Sequence, residues 1–136
     1  MRLWHKALIP YLPRQQLMGQ WRECCCIAKN IADNGTPNHI LVNKIMDYPA
    51  DHFTSYGLYI NKEMERRGYK CDLNKFMKYR NASDPIVSIK CVFYGWHNKR
   101  YLKQCLYNLE EKYDCGGINK EEWKLIKCFG KKESEI

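Results

Sequence analysis

The chain offers one unusual nucleophile and one carboxylate placed to serve it. The nucleophile is the α-amine. An α-amine titrates near about 7.7–8.0, against about 10.4 for a lysine ammonium, so a usable fraction is neutral near pH 7 without burial. A neutral amine attacks a sugar C1′ or a carbonyl-like carbon to form an imine. A carboxylate alongside stabilises the cationic intermediate and moves protons. That carboxylate is Glu23, the one acidic side chain of the stretch Leu-Pro-Arg-Gln-Gln-Leu-Met-Gly-Gln-Trp-Arg-Glu-Cys over residues 12–24. The chemistry requires Met1 and Glu23 to meet in space, which the sequence permits without demanding.

Other catalytic templates are missing. There is no Gly-rich phosphate loop, no His-Glu-x-x-His, no nucleophile elbow and no pair of carboxylates for glycosidase-type acid/base work. His5, His39, His52 and His97 are scattered and read as structural, although His39 and His97 fall at loop or helix starts, where ligand contacts occur. The eight cysteines contain no Cys-x-x-Cys pair, so neither a zinc ribbon nor a thioredoxin motif is indicated. With no secretion signal, a disulfide framework is not expected, and most of the cysteines read as small reduced core residues. A Cys/His metal site assembled from distant positions is the alternative left open.

The element that must position Glu23 is a helix over residues 13–32. Pro13 suits its first turn, and Asn34-Gly35 is a stop signal. Leu17, Trp21, Cys24, Ala28 and Ile31 recur at spacings of four and three and form a core-facing stripe. Gln16, Gln20, Glu23 and Ile27 lie on one flank of that stripe; Gln15, Arg22 and Cys26 lie beyond it. Before this helix, Leu3, Trp4, Leu8 and Ile9 can pin an N-terminal arm against the core, which would fix the α-amine. A second helix is expected over residues 50–67, with Phe53, Tyr56, Ile60 and Met64 inward and Glu63, Glu65, Arg66 and Arg67 as a solvated end. A short helix follows over 73–79. Residues 86–94 are strand-like but have no partner, and read as extended or as a buried helical connection. A third main helix spans 97–113, with Lys99, Arg100 and Lys103 near its start. Cations there oppose the helix dipole, as befits a docked phosphate or simply a solvated basic face. Asn119 with Glu122 resembles a capping box that opens a last basic helix. The fold class is therefore all-α: a compact single-domain bundle of about three main helices with the N-terminal arm packed against them.

Composition sets the partner class. The 136 residues fit one domain, with 23 Lys+Arg against 15 Asp+Glu, a formal charge of +8 and 13% aromatics. That balance points to a polyanion such as nucleic acid. No apolar run approaches the ~20 residues of a membrane span. Ala7-Leu8-Ile9, broken by Pro10, is no signal peptide. Met1 is expected to begin the mature chain of a cytoplasmic monomer.

The stretch Leu12-x-x-Gln15-x-Leu17-Met18-x-x-Trp21-Arg22-Glu23 resembles the first helix of the phage-type pyrimidine-dimer DNA glycosylases. Arg66-Arg67-Gly68-Tyr69, Tyr94-x-x-His97 and Lys127-Cys128-Phe129-Gly130-Lys131 resemble three further stretches of that family, in order along the chain. The resemblance implies a glycosylase that acts on double-stranded DNA without metal or cofactor. It breaks a base–sugar bond through an imine of the N-terminal amine, then cleaves the strand by β-elimination. It implies Glu23 as the catalytic carboxylate, Arg22 as a DNA-contacting cation and Gln15 as a residue of the DNA surface. In the family the nucleophile is the amine of a Thr uncovered by Met removal and followed by Arg. Here Arg2 follows Met1 and normally blocks that removal, so the alignment implies a retained Met1 as nucleophile, with Arg2 as the following Arg. The family's second Arg, one turn after Arg22, is Cys26 here, and a later Arg and Lys fall near Tyr107 and Glu111. Lys99, Arg100, Lys103 and Lys127 are the candidates to supply the missing phosphate contacts. Two rival readings stand beside this one: a non-catalytic duplex-binding protein of the same fold, and a metal or redox protein built on Cys24-Cys25-Cys26.

Overall fold

The computed structural model describes residues 1–80 and 91–134. Five α-helices carry these residues: α1 (Arg14–Asn34), α2 (Ala50–Arg66), the single turn α3 (Asn74–Met77), α4 (Lys99–Asp114) and α5 (Lys120–Ser134). Two 3-10 helices, Lys6–Tyr11 and Asn43–Asp47, precede α1 and α2. The architecture is all-α, and α5 is the last basic helix that Asn119 and Glu122 were expected to open. Most of the strand-like stretch, residues 86–90, lies outside the described residues, as does most of the loop that precedes it; residues 91–94 are in turns.

The helix boundaries follow local chemistry. Pro13 precedes α1, and the first free amide of the helix, Arg14 N–H, donates to Glu122 Oε2 at 3.0 Å. The same Glu122 accepts from Asn119 N–H while its own N–H donates to Asn119 Oδ1 at 2.8 Å, so the expected capping box forms at the start of α5. One carboxylate thus closes two helix N-termini. Gly35 ends α1 in the left-handed conformation, φ 75°, with its N–H on Ile31 O. Asn98 caps α4 by accepting from Tyr101 N–H at 2.9 Å.

The N-terminal arm is part of the core. Leu3, Trp4, Leu8, Ile9 and Leu12 are buried with Leu17, Ile27, Tyr56, Ile60, Leu109 and Ile126 in one cluster. Polar bonds from three directions hold the arm's backbone. Lys6 N–H donates to His97 Nδ1 at 3.0 Å, and Lys6 Nζ to Val92 O at 2.8 Å. Tyr101 donates its hydroxyl to Leu3 O. Arg67 donates to Leu12 O at 2.7 Å and to Pro10 O at 3.1 Å.

Arg67 corrects the sequence reading of the α2 terminus. Residues 63–67 are not uniformly a solvated end: Glu63 is buried, and Arg67 reaches from it to the arm. Burial works to raise the Glu63 carboxyl, but hydrogen bonds from Arg66 and Arg67 outweigh it and hold the group below the ordinary carboxylate range. The cysteines are corrected too. Only Cys24 and Cys105 are buried, whereas Cys26, Cys91, Cys115 and Cys128 are exposed, and all eight are free thiols.

Gly57 sets how closely α3 approaches α2. A Cβ there would lie 2.3 Å from the Phe76 ring, which is buried between Trp21 and Phe53. Gly→Ala inside a helix gains about 1 kcal/mol of propensity. Overpacking a core costs about 1–3 kcal/mol, and the hemmed-in ring decides the sign. Gly57→Ala is therefore expected to lower stability in urea unfolding; an increase would show that Phe76 moves aside freely.

Candidate active site

Glu23 lies in the third turn of α1, and Gln20, about one turn earlier, organises the contacts around it. Gln20 is 1% exposed. Its Oε1 accepts from Trp4 N–H at 2.7 Å and from the Tyr56 hydroxyl at 2.8 Å. Its Nε2 donates to Arg2 O at 3.0 Å and to Glu23 Oε2 at 3.1 Å. A primary amide has two acceptor sites and two N–H donors, so every site is used. The Tyr56 hydroxyl, also buried, carries a single proton, which is shared between Gln20 Oε1 and Trp4 O, the latter at 2.6 Å. One amide nitrogen therefore touches both the second residue of the chain and the Glu23 carboxylate.

This arrangement ties Arg2, the residue after Met1, and Glu23 to one amide nitrogen. Burial pushes the Glu23 carboxyl above its ordinary range, and among the charges that oppose the rise the N-terminal ammonium is the strongest, followed by His39, Arg22 and Lys112. No direct salt bridge joins the amine to Glu23 among the described residues, and Met1 is 44% exposed.

The other residues singled out by sequence fall at varying distances from this pair. Arg2 is half-buried, its guanidinium 5.8 Å from the Trp4 ring centroid, and it lines a hollow of about 280 Å³ with Leu41, Tyr101 and Gln104. An adjoining hollow of about 290 Å³ shares Leu41, Tyr101 and Gln104 and adds Ile40, Lys44, Trp96 and Arg100. Arg100 thus reaches the same cleft as Arg2. Arg22 is exposed beside Glu23, with its guanidinium lying back over Gly19, and Gln15 is exposed two turns earlier on the same face of α1. Lys99 and Lys103 are exposed at the start of α4, and Lys127 is exposed on α5; no contact ties these three to Glu23. Cys26, where the family's second Arg was expected, is exposed.

Gln20, Tyr56 and Lys112 escaped the sequence reading, whereas the sequence marks His39 only as a residue at a loop start. Gln20 and Tyr56 were placed on a flank and in a core stripe, and nothing local marked them as a pair. His39 and Lys112 are far from Glu23 in sequence and act on it only through the fold. His97 stays structural: its Nδ1 accepts from Lys6 N–H, its ring stacks on His5 with centroids 5.1 Å apart, and burial carries its pKa down to about 2. An imidazole so held is neutral at all working pH values. A larger apolar cavity of about 390 Å³, walled by Ile31, Ile45, Phe53 and Phe76 among others, includes none of the charged groups around Glu23.

Fold and site together define a small basic all-α protein whose N-terminal arm is bonded, through Gln20, to a half-buried carboxylate. A family model described as pyrimidine dimer DNA glycosylase matches residues 1–77, more than half of the chain, and the chain belongs to that family. The match takes in the arm, α1 and α2, and so Met1, Arg2, Gln20, Glu23, His39 and Tyr56; α4 and α5 lie beyond it. Comparison with curated proteins and with solved structures returned no match. No helix among the described residues is long and apolar enough to cross a membrane, and they contain no group of three or more His, Cys, Asp or Glu able to hold a metal ion.

The raised Glu23 carboxyl carries a sign. The folded chain holds this proton more tightly than the unfolded chain, whose ordinary value is 4.5. That contribution to stability is full below the unfolded value and is lost as pH rises through the folded one. Glu23→Gln removes the titration and can still accept the Gln20 bond. The variant should be more stable than the parent at pH 7, with the gap closing as pH is lowered past 4.5. Urea unfolding at pH 4 and pH 7 measures it, and a variant less stable at pH 7 than at pH 4 relative to the parent would contradict the assignment.

Proposed function

We propose that the protein is a DNA-repair glycosylase with abasic-site lyase activity, acting on pyrimidine-dimer-type damage in duplex DNA through an imine of its N-terminal amine. One observation supports the reading: the Gln20 amide bonds both Arg2 O and Glu23 Oε2, so the chain's first residues are tied to that carboxylate, in a chain that belongs to this glycosylase family. Soluble, cytoplasmic and monomeric action fits it and needs no metal or cofactor.

In this mechanism the neutral Met1 amine attacks C1′ of the damaged nucleotide. The C1′–N bond to the base breaks, and the base departs with the electron pair. Glu23 takes a proton from the new secondary ammonium and delivers it to the ring oxygen as the C1′–O bond opens, leaving the imine. Loss of a C2′ proton then expels the 3′ phosphate oxygen with its electron pair, which cleaves the strand; water releases the amine. A carboxyl raised by burial is suited to both halves of this transfer, because it accepts and returns a proton nearer neutrality than an exposed glutamate does. Gln20 orients the carboxylate through its 3.1 Å bond.

The cations have graded roles. Arg2 and Arg22, nearest the pair, hold the phosphates that flank the lesion. Gln15 extends that surface along α1. Lys99, Arg100 and Lys103 at the start of α4, and Lys127 on α5, supply further phosphate contacts in place of the Arg that Cys26 replaces. Lys112 adds positive potential around Glu23.

Borohydride reduction in the presence of abasic or dimer-containing duplex should trap a covalent adduct at the N-terminus. An added N-terminal residue that displaces the amine should abolish it, and Glu23→Gln should slow it by about 10²–10³-fold. No adduct from the unaltered protein would leave the non-catalytic duplex-binding reading, which the loss of an Arg at Cys26 favours. Binding gives a second test. Each phosphate contact removed, as in Arg22→Ala or Lys103→Ala, should lower the log–log salt slope by about 0.9; an unchanged slope would remove that residue from the DNA surface.

A further inference from the structure

The turn that carries His39 past Glu23 ends in two apolar residues with nothing to cover them. Ile40 is 86% exposed and Leu41 is 50% exposed. Their exposure is not slackness in the turn. His39 N–H donates to Asn43 Oδ1 at 3.0 Å, Leu41 N–H donates to His39 Nδ1, and His39 O accepts from both Val42 and Asn43. Val42 and Ile45, immediately behind the tip, are buried. The turn is stapled by its own side chains and anchored in the core, so the tip is held out into solvent.

Its surroundings are cationic. Ile40 and Leu41 form one wall of the hollow that Lys44 and Arg100 also line, and Leu41 borders Arg2 in the adjoining one. Apolar side chains ringed by cations match a duplex, whose phosphates meet the rim and whose stacked bases meet the tip. A second protein surface would need an acidic rim to match, and a core contact would have buried the tip already. Proteins that kink DNA insert such residues between base steps and unstack them.

We infer that Ile40 and Leu41 are a wedge that enters the duplex beside the damaged nucleotide and unstacks it, so that C1′ becomes accessible to the amine near Glu23. The inference rests on the proposed glycosylase reading, and it assigns positioning residues, not catalytic ones. Both side chains stay clear of the reacting atoms and act by holding the stack open.

The test uses a duplex with a non-cleavable abasic analogue next to 2-aminopurine, a base analogue that brightens when unstacked. Saturating unaltered protein should raise the fluorescence. The double variant Ile40→Ser with Leu41→Ser should abolish the rise, while Ile40→Leu with Leu41→Met should restore it. On cleavable substrate the serine variant should lose about tenfold in rate on duplex, yet stay within about twofold on a single-stranded abasic oligonucleotide that needs no unstacking. An undiminished rise with the serine variant at saturation, no rise with the unaltered protein, or equal losses on both substrates would each overturn the wedge. Unstacking needs no covalent step, so a protein that fails to trap with borohydride but still brightens 2-aminopurine refutes the catalytic reading and leaves the wedge standing.

Discussion

The fully bonded side chain of Gln20 is the constraint on which the rest of this molecule depends. A primary amide in the core is tolerable only if its donors and acceptors are met, because each buried group left unpaired costs about 1–3 kcal/mol. Here the partners are Trp4 N–H, Tyr56 OH, Arg2 O and Glu23 Oε2, drawn from the arm, α2 and α1. Satisfying the amide therefore fixes three elements at once. It also spends one N–H on the carboxylate next to the chain's own terminus, so the demand for a sealed core and the demand for a positioned active group are met by the same contact.

The arm would not hold there on one residue. Arg67 grips its far end through Leu12 and Pro10 carbonyls, Lys6 and Tyr101 grip its middle, and Glu122 ties α5 to the start of α1. A terminus normally frays unless it is tied down. Here apolar burial of Leu3, Trp4, Leu8 and Ile9 supplies the free energy, and the polar bonds select one register. A mobile amine would reach a sugar carbon only part of the time, whereas an amine held within a residue of a fixed carbonyl starts close to its productive geometry. The ionic rim then needs no such exactness, since phosphates bind surface cations at many angles.

Local signals were readable from the sequence, and long-range polar ones were not. Pro13 and Gly35 bracketed α1, the Asn119–Glu122 box formed as written, and Glu23 lay at the edge its register assigned. The helical stripe is wider than its apolar spacing: Leu17, Trp21 and Cys24 are buried as expected, Gln20 and Ile27 are buried with them, and Ala28 and Ile31 are partly buried at the apolar cavity. Periodicity counts apolar residues, so a glutamine whose burial depends on an arm and on a tyrosine 36 positions away leaves no trace in it. Glu63 and Arg67 misled for the same reason, because charge at a helix end ordinarily faces water and here it clasps the arm. The nucleophile and its carboxylate could be named from residue chemistry and a family likeness; the amide that joins them required coordinates.

If Gln20 sets the amine beside Glu23, Gln20→Leu should displace it. Leucine keeps the helix and most of the volume and removes all four bonds. The α-helical circular dichroism should persist while the initial rate of borohydride-trapped imine on an abasic duplex falls by at least about tenfold, in line with the sensitivity of such reactions to a misplaced nucleophile. A leucine variant that retains its helices and forms the imine at the parent rate would contradict the account.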